Sequence, residues 1–591
     1  MKWIRENLLS PTDALRQEPS LRKDRRLLLC LISVLCWGLI AHSYGFFNCN
    51  FSHDSLNAFY ATPRENQWKL ENGRFIVTVY RALFRGNFAL PWLIGLLALF
   101  FVGLSLFLMA RMLKLHNPLL LVLTGGIMCV NLSFTAQTAT YIHELDCNYL
   151  ALLLAVAAVY LWYFYCGWLP FFGGAVLIFL SLGIYQSFFA AAATLMIFLS
   201  LMDLFRGEDV ALVFQRGLRG IAVLLTGILG YCVCSEILCR LFHVTATYEI
   251  FEQSVNILHD LTQLIGGTYA NFFKALNNIA YPDSFRVVLY LVDFLLLAEL
   301  CRVLYGLRKE PVRLLLAAAL LVVLPFVMDI TFLLTQGDQV HDLTYFSVWL
   351  VWLLYLLVTF HVPAQKRRWP KVVCVCLVSL ILWQNVVFAN TAYMKKQVAE
   401  KATYATIIRV LDRIEQRGDY VYRETPVAFI GTGGGISYPT EYGNMHKLVG
   451  LHLNDSIGVD IPFDFYNAYR AYFRYVLDYP IVLCGESKWW ELKNSDAVSR
   501  MPAFPSPDCI QMIDGVLVVK MGPDSEEGTI PFFRVFHGKR GYFYLFFGFG
   551  SGTANQRSIC IRLALASIFR AVSRISSPHS RAVRRPASLR V

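Results

Sequence analysis

Apolar runs of about twenty residues recur eleven times along the first 390 positions, from Leu27–Phe46 to Val372–Asn390, with short polar segments between them. At 1.5 Å per helical residue, such a run matches the roughly 30 Å hydrocarbon thickness of a bilayer. The pattern changes after Asn390. Residues Lys395–Arg417 read as a helix with polar and apolar positions mixed. Pro426–Gly431, Pro480–Cys484 and Gly515–Met521 read as short strands between helical segments. The fold expected is an α-helical polytopic membrane protein of about eleven transmembrane helices (1–390), carrying a C-terminal α/β domain (391–530) and a tail (531–591).

Charge sets an orientation. Lys and Arg favour the cytoplasmic side of short loops. They gather before Leu27, at Arg111 and Lys114, at Arg206, Arg216 and Arg219, at Arg302–Arg313 and at Lys366–Lys371, and are absent from Ala136–Asp146 and Thr335–Asp342. This alternation closes only if Trp168–Phe205 is two spans turning near Ile184-Tyr185-Gln186-Ser187. The N-terminus is then cytoplasmic. The first loop 47–91, the segment Val244–Asp283 and everything after Asn390 lie outside. The run Leu27–Phe46 is too long for a signal-peptide core and no A-x-A pattern follows it, so it reads as an uncleaved first span.

Composition agrees with the class: 56% of residues are hydrophobic and 16% charged, where a soluble chain carries about a quarter charged residues. The net charge of +12 is local. Eleven Lys/Arg and no Asp or Glu lie in 531–591, which leaves 42 basic against 41 acidic residues elsewhere. The tail reads as a weakly ordered basic extension, and no nucleic-acid partner is expected. Most cysteines sit in apolar runs as small hydrophobes. No CxxC pair or His/Cys cluster points to a metal, no cofactor is expected, and a divalent ion on the outer carboxylates is left open. Cys484 and Cys509 are the one pair considered for a disulfide.

Ionisable groups near or inside the spans are costly and therefore candidates for function. In the first loop, Phe51-Ser52-His53-Asp54-Ser55 offers a carboxylate beside His53 and two serines. Asp54 can serve as a general base on a hydroxyl, or Asp54 or Ser52 can cap a short helix over Leu56–Tyr60. Arg74, Thr78, Arg81 and Arg85 share one face of a helix and Phe75, Val79 and Leu83 another, the pattern of an amphipathic helix on the outer membrane surface. Its arginines suit a lipid-linked phosphate or simple headgroup anchoring. Glu144, Asp146, Glu236, Asp293 and Asp329 complete a set of acids expected around an outward-opening polar cavity. Glu299 is expected to pair with Arg302. Gly431-Thr432-Gly433-Gly434-Gly435 lacks the ending of a phosphate-binding loop and reads as a turn. The aromatic stretch Asp464–Arg474 fits either sugar stacking or packing.

Three short motifs, Phe51-Ser52-His53-Asp54-Ser55-Leu56, Asn72-Gly73-Arg74-Phe75 and Ser181-Leu182-Gly183-Ile184-Tyr185-Gln186-Ser187, resemble those of the serotype-converting O-antigen glucosyltransferases of the Gtr type II family. The similarity runs from about Leu27 to Met521 and leaves out the basic tail. It implies a GT-C-like glycosyltransferase of the bacterial inner membrane with its C-terminal domain in the periplasm. The implied reaction moves glucose from undecaprenyl-phosphate-glucose to a hydroxyl of O-antigen polysaccharide, by single inverting displacement. On this resemblance Asp54 is the base, Arg74 and Arg81 hold the donor phosphate, and His53, Tyr185 and Gln186 are further candidates. Membrane lipids, a donor-synthesising glucosyltransferase and a donor flippase are the implied partners. The competing readings are a flippase or transporter of a lipid-linked sugar, and an O-antigen acyltransferase.

Overall fold

The computed structural model describes residues 24–48, 52, 55–56, 63–86, 89–244, 257–334, 342–361, 368–431 and 469–522, with two strands in the tail. Among the described residues, seven helices are long and apolar enough to cross a membrane, or eight if the bent pair Pro118–Cys129 and Leu132–Thr140 is one span. In chain order the body is built from α1 (Arg26–Phe47), α2 (Pro63–Glu71), α3 (Phe75–Phe84), α4 (Pro91–Met112), α5 (Pro118–Cys129) and α6 (Leu132–Thr140). A 3-10 turn, Ile142–Glu144, leads into α7 (Leu145–Phe164), α8 (Trp168–Leu182), α9 (Phe188–Phe205) and α10 (Val210–Leu241). Then come α11 (Ile257–Leu276), α12 (Asp283–Gly306), α13 (Pro311–Met328), the short α14 (Ile330–Leu334) and α15 (Val351–His361) after a 3-10 turn, Tyr345–Leu350. The eleven-span reading adds α8, α12 and Tyr345–His361 to those eight.

Helix starts are written locally. Pro91, Pro118 and Pro311 occupy first-turn positions, where a missing N–H costs nothing. The run Trp168–Phe205 breaks into two helices at Gly183–Ser187, the turn the charge alternation requires. Helix α1 packs on α4, α5 and the long C-terminal helix, while α7 lies between α4 and α8. These surround one apolar core. Ile221, Leu225 and Leu229 face outward from α10, as a lipid-contacting surface requires.

The bend between α5 and α6 hangs on one residue. The Asn131 side-chain oxygen caps α6 by accepting from Phe134 N (2.9 Å), while its Nδ2 donates to the carbonyls of Ile127 and Met128 (3.0 and 3.3 Å). It thus satisfies both helix ends at a 42° kink. All nine residues of α6 are buried, including Ser133, Thr135, Gln137, Thr138 and Thr140.

The last helix, α16, runs unbroken from Trp369 to Glu415, 47 residues, which at 1.5 Å per residue is about 70 Å. The helix itself carries the chain from the span into the C-terminal part, without a linker. Its last turns, Ile407 to Ile414, enter a second core built on a three-stranded sheet ordered β1-β3-β2. Strand β1 (Val427–Ile430) pairs parallel with β3 (Val516–Lys520), and β2 (Ile510–Ile513) pairs antiparallel with β3. Helices α17 (Glu486–Lys493) and α18 (Asp496–Arg500) pack nearby. Gly431 ends β1 with φ +83°, and a Cβ there would meet the Gly522 carbonyl at 2.5 Å. Residues Thr432–Gly435 lie outside the described residues. Within the tail, Arg534–His537 and Phe543–Phe546 form an antiparallel pair.

Two expectations change here. Cys484 and Cys509 are both buried and free. Leu483 bridges to β1 at one edge of the sheet, and Cys509 enters β2 at the other. Three strand steps of about 4.8 Å separate those edges, well beyond the roughly 7 Å Cα limit for a disulfide. In the aromatic stretch, Tyr469, Tyr472 and Phe473 are buried, and Tyr469 stacks on Phe429 at 4.3 Å, so these rings serve packing.

Candidate functional site

The 3-10 turn after α6 carries Glu144, with Asp146 in the first turn of α7. These carboxylates and their neighbours tie three pieces of the first loop to the body. Ser52 and Ser55 both donate to the Thr140 carbonyl (2.5 and 3.1 Å), and Ser55 Oγ sits 3.2 Å from His143 Nδ1. Lys69 of α2 lies 2.7 Å from Glu144 Oε1, and Arg81 of α3 lies 3.5 Å from the same oxygen. Arg85 at the end of α3 grips Asp146 through Nε (2.7 Å) and Nη2 (3.1 Å), and Tyr80 donates to Asp146 Oδ2 at 3.1 Å.

The chemistry of this cluster follows from burial. Glu144 and Asp146 are both at or below 1% exposed, as is Arg81. Burial works against the charged form of Arg85, but hydrogen bonding and charge from Asp146 outweigh it and raise the guanidinium above its ordinary range. Burial, and then the Asp146 charge, push the Tyr80 phenol up as well, so it remains a donor. Among the described residues, Lys69, Arg81 and Arg85 form ion pairs with these two carboxylates.

The sequence motifs meet one another around this cluster. Gln186 donates to the Asn72 carbonyl (2.8 Å) and to the Tyr231 hydroxyl (3.0 Å). Ile76 N donates to the Gly183 carbonyl (3.0 Å), and the Arg74 guanidinium stands 5.0 Å from the centre of the Tyr185 ring. Gly73 has φ +67°, and a Cβ there would run into the Tyr231 hydroxyl. The α2–α3 turn therefore needs glycine twice over, for conformation and for space.

Residues 43–359 match the family described as Glucosyl transferase GtrII. That is 317 of 591 residues, more than half of the chain. The chain belongs to the GtrII glucosyl transferase family. No curated protein and no solved structure matches it. All three motifs fall inside the GtrII stretch, whereas α16 and the second core lie beyond it, so the match is narrower than the 27–521 resemblance. Its class of chemistry is glucosyl transfer, which sets the transporter and acyltransferase readings aside.

The expected acids divide into three groups. Glu144 and Asp146 lie in the cluster as partners of Lys69, Arg81 and Arg85. Glu236 is a correction: among the described residues it lies on the exposed face of α10, paired with Arg240 one turn on at 2.7 Å. Asp293 and Asp329 belong to a separate polar set organised by α11. Asn277 donates to Asp293 (3.1 Å), Asn271 to Asp329 (2.7 Å) and Asn278 to Asp342 (2.6 Å). This set adjoins the first through Leu343, whose carbonyl accepts from Gln137 and Tyr185 at 2.8 and 3.2 Å. Glu299 pairs with Arg302 as expected, at 2.7 Å.

His53 and Asp54 lie outside the described residues. Their flanking serines do not: the Ser52 hydroxyl accepts from Ser55 N at 3.1 Å, while the expected helix beyond Leu56 lies outside the described residues. Among the described residues, no three His, Cys, Asp or Glu side chains gather as metal ligands. Lys69 was not foreseen. Its only sequence signal is its place one short turn before the Gly73 motif.

Proposed function

We propose that this chain transfers a glucosyl residue from undecaprenyl-phosphate-glucose to a sugar hydroxyl of O-antigen, on the periplasmic face of the bacterial inner membrane. The observation that carries the reading is the cluster of Lys69, Arg81 and Arg85 around Glu144 and Asp146, with Arg74 nearby at the Tyr185 ring, within the GtrII stretch. The reaction needs such charge. The donor is a phosphodiester; when the anomeric C–O bond breaks, the polyprenyl phosphate departs with added negative charge, and preorganised cations stabilise it as it forms. Acidic help for that leaving group is unnecessary.

The acceptor hydroxyl needs one base. Asp54 takes its proton as the oxygen attacks the anomeric carbon, giving single displacement with inversion. Ser52 and Ser55, fastened to Thr140 and His143, hold the chain on either side of it. In-line attack on one face and phosphate departure on the other account for one carboxylate sufficing.

The test is O-polysaccharide linkage analysis by NMR in cells expressing the wild type, Asp54→Asn or no copy. Positioned proton transfer contributes about 10²–10⁴-fold, so Asp54→Asn should leave the glucosyl branch signal at background with the protein still in the membrane. A wild-type glucosyl signal from Asp54→Asn removes Asp54 from the mechanism.

A further inference from the structure

The two carboxylates of the cluster hold their cations differently. Asp146 is locked: Arg85 reaches it with two aligned N–H donors and Tyr80 adds a third. Glu144 Oε1 instead divides its charge between two cations, at 2.7 Å from Lys69 and 3.5 Å from Arg81. A phosphate, with more oxygens and more charge, can compete for cations shared in this way. A buried ammonium carries three protons and a strong drive to direct them at an anion.

We infer that Glu144 is a competing counterion that occupies Lys69 and Arg81 until a lipid-linked phosphate draws them off, and that Lys69 is part of the phosphate-binding set. The inference rests on the glucosyl-transfer reading for its ligand and adds two residues with opposite roles: Lys69 attracts the phosphate, whereas Glu144 competes with it for the same cations. Phosphate charge grows as the glycosidic bond breaks, so the competition tips toward the phosphate during the reaction. When the polyprenyl phosphate leaves, Glu144 recovers both cations.

Opposite roles give opposite signs, which a purely structural contact would not. The experiment measures farnesyl monophosphate binding to the purified full chain in nanodiscs, for the wild type, Lys69→Met, Glu144→Gln, the double variant and Lys69→Arg. A charged hydrogen bond lost from a buried phosphate corresponds to about tenfold or more in affinity. Lys69→Met should therefore weaken binding by about tenfold. Glu144→Gln should tighten it several-fold, the double variant should fall between, and Lys69→Arg should restore most of the wild-type affinity. In transfer assays, Glu144→Gln should lower kcat through slow product release while KM falls. Weakening in Glu144→Gln, no change in Lys69→Met, or failure of Lys69→Arg to restore binding overturns the inference. Because binding is read without turnover, the two failures are distinct: absence of glucosyl transfer in the wild type sinks the parent reading, whereas the binding series alone decides the roles of Lys69 and Glu144.

Discussion

At the residue scale, single positions decide whether the first loop reaches the body. Gly73 is the sharpest case. Its left-handed backbone costs a non-glycine residue about 1–2 kcal/mol, and the Tyr231 hydroxyl occupies the space a side chain would need. Gly73→Ala should lower the thermal midpoint of the purified protein and reduce transfer, whereas Gly217→Ala on α10, where a Cβ meets nothing within 4 Å, should do neither. Much of this was legible. The i, i+4, i+7, i+11 spacing put Arg74, Thr78, Arg81 and Arg85 on one face, and rarity alone marked Glu144 and Asp146. Lys69 was not, because a lysine in the polar helix Pro63–Glu71 reads like any surface lysine until its partner is known. Glu236 misled for the converse reason: an acid in an apolar run looks buried, but Arg240 one turn away lets it stay on an exposed face.

At the scale of elements, α3 keeps the two faces that its periodicity predicts. Its arginine face turns inward to the carboxylates, while Val79, Leu83 and Phe84 are exposed. Periodicity defined the two faces. It did not say which met the protein, since beside a membrane the apolar face can look outward. The bend at Asn131 places Glu144. Asn131→Ala removes a cap worth about 1 kcal/mol and strands two buried carbonyls, so circular dichroism should report a lower unfolding midpoint, with weaker farnesyl monophosphate binding alongside. The continuity of α16 was hidden for a different reason. Side-chain composition changes near Asn390 from lipid-facing to water-facing, but helical geometry does not. Ala402→Pro costs about 3 kcal/mol in a helix interior and should expose a new protease-sensitive site between the span and the second core.

For the whole molecule, the claim is that lipid-facing helices carry an outward-facing first loop whose cations serve a lipid-bound donor. Sidedness can be read directly at Gln67, an exposed position of α2. Gln67→Cys should react with an impermeant maleimide in intact spheroplasts; reaction only after the membrane is opened would place the loop on the wrong side. Apolar runs made the membrane body legible, but the second core depends on pairings such as Val427 with Leu517 that join residues ninety positions apart, which no local pattern records. The most direct measurement supplies the purified chain in nanodiscs with undecaprenyl-phosphate-[14C]glucose and O-antigen acceptor and counts label in polysaccharide. Transfer by the wild type, falling at least about 100-fold in Asp54→Asn, is the predicted result. Label that stays on the lipid with the wild type, or reaches polysaccharide equally with Asp54→Asn, contradicts it.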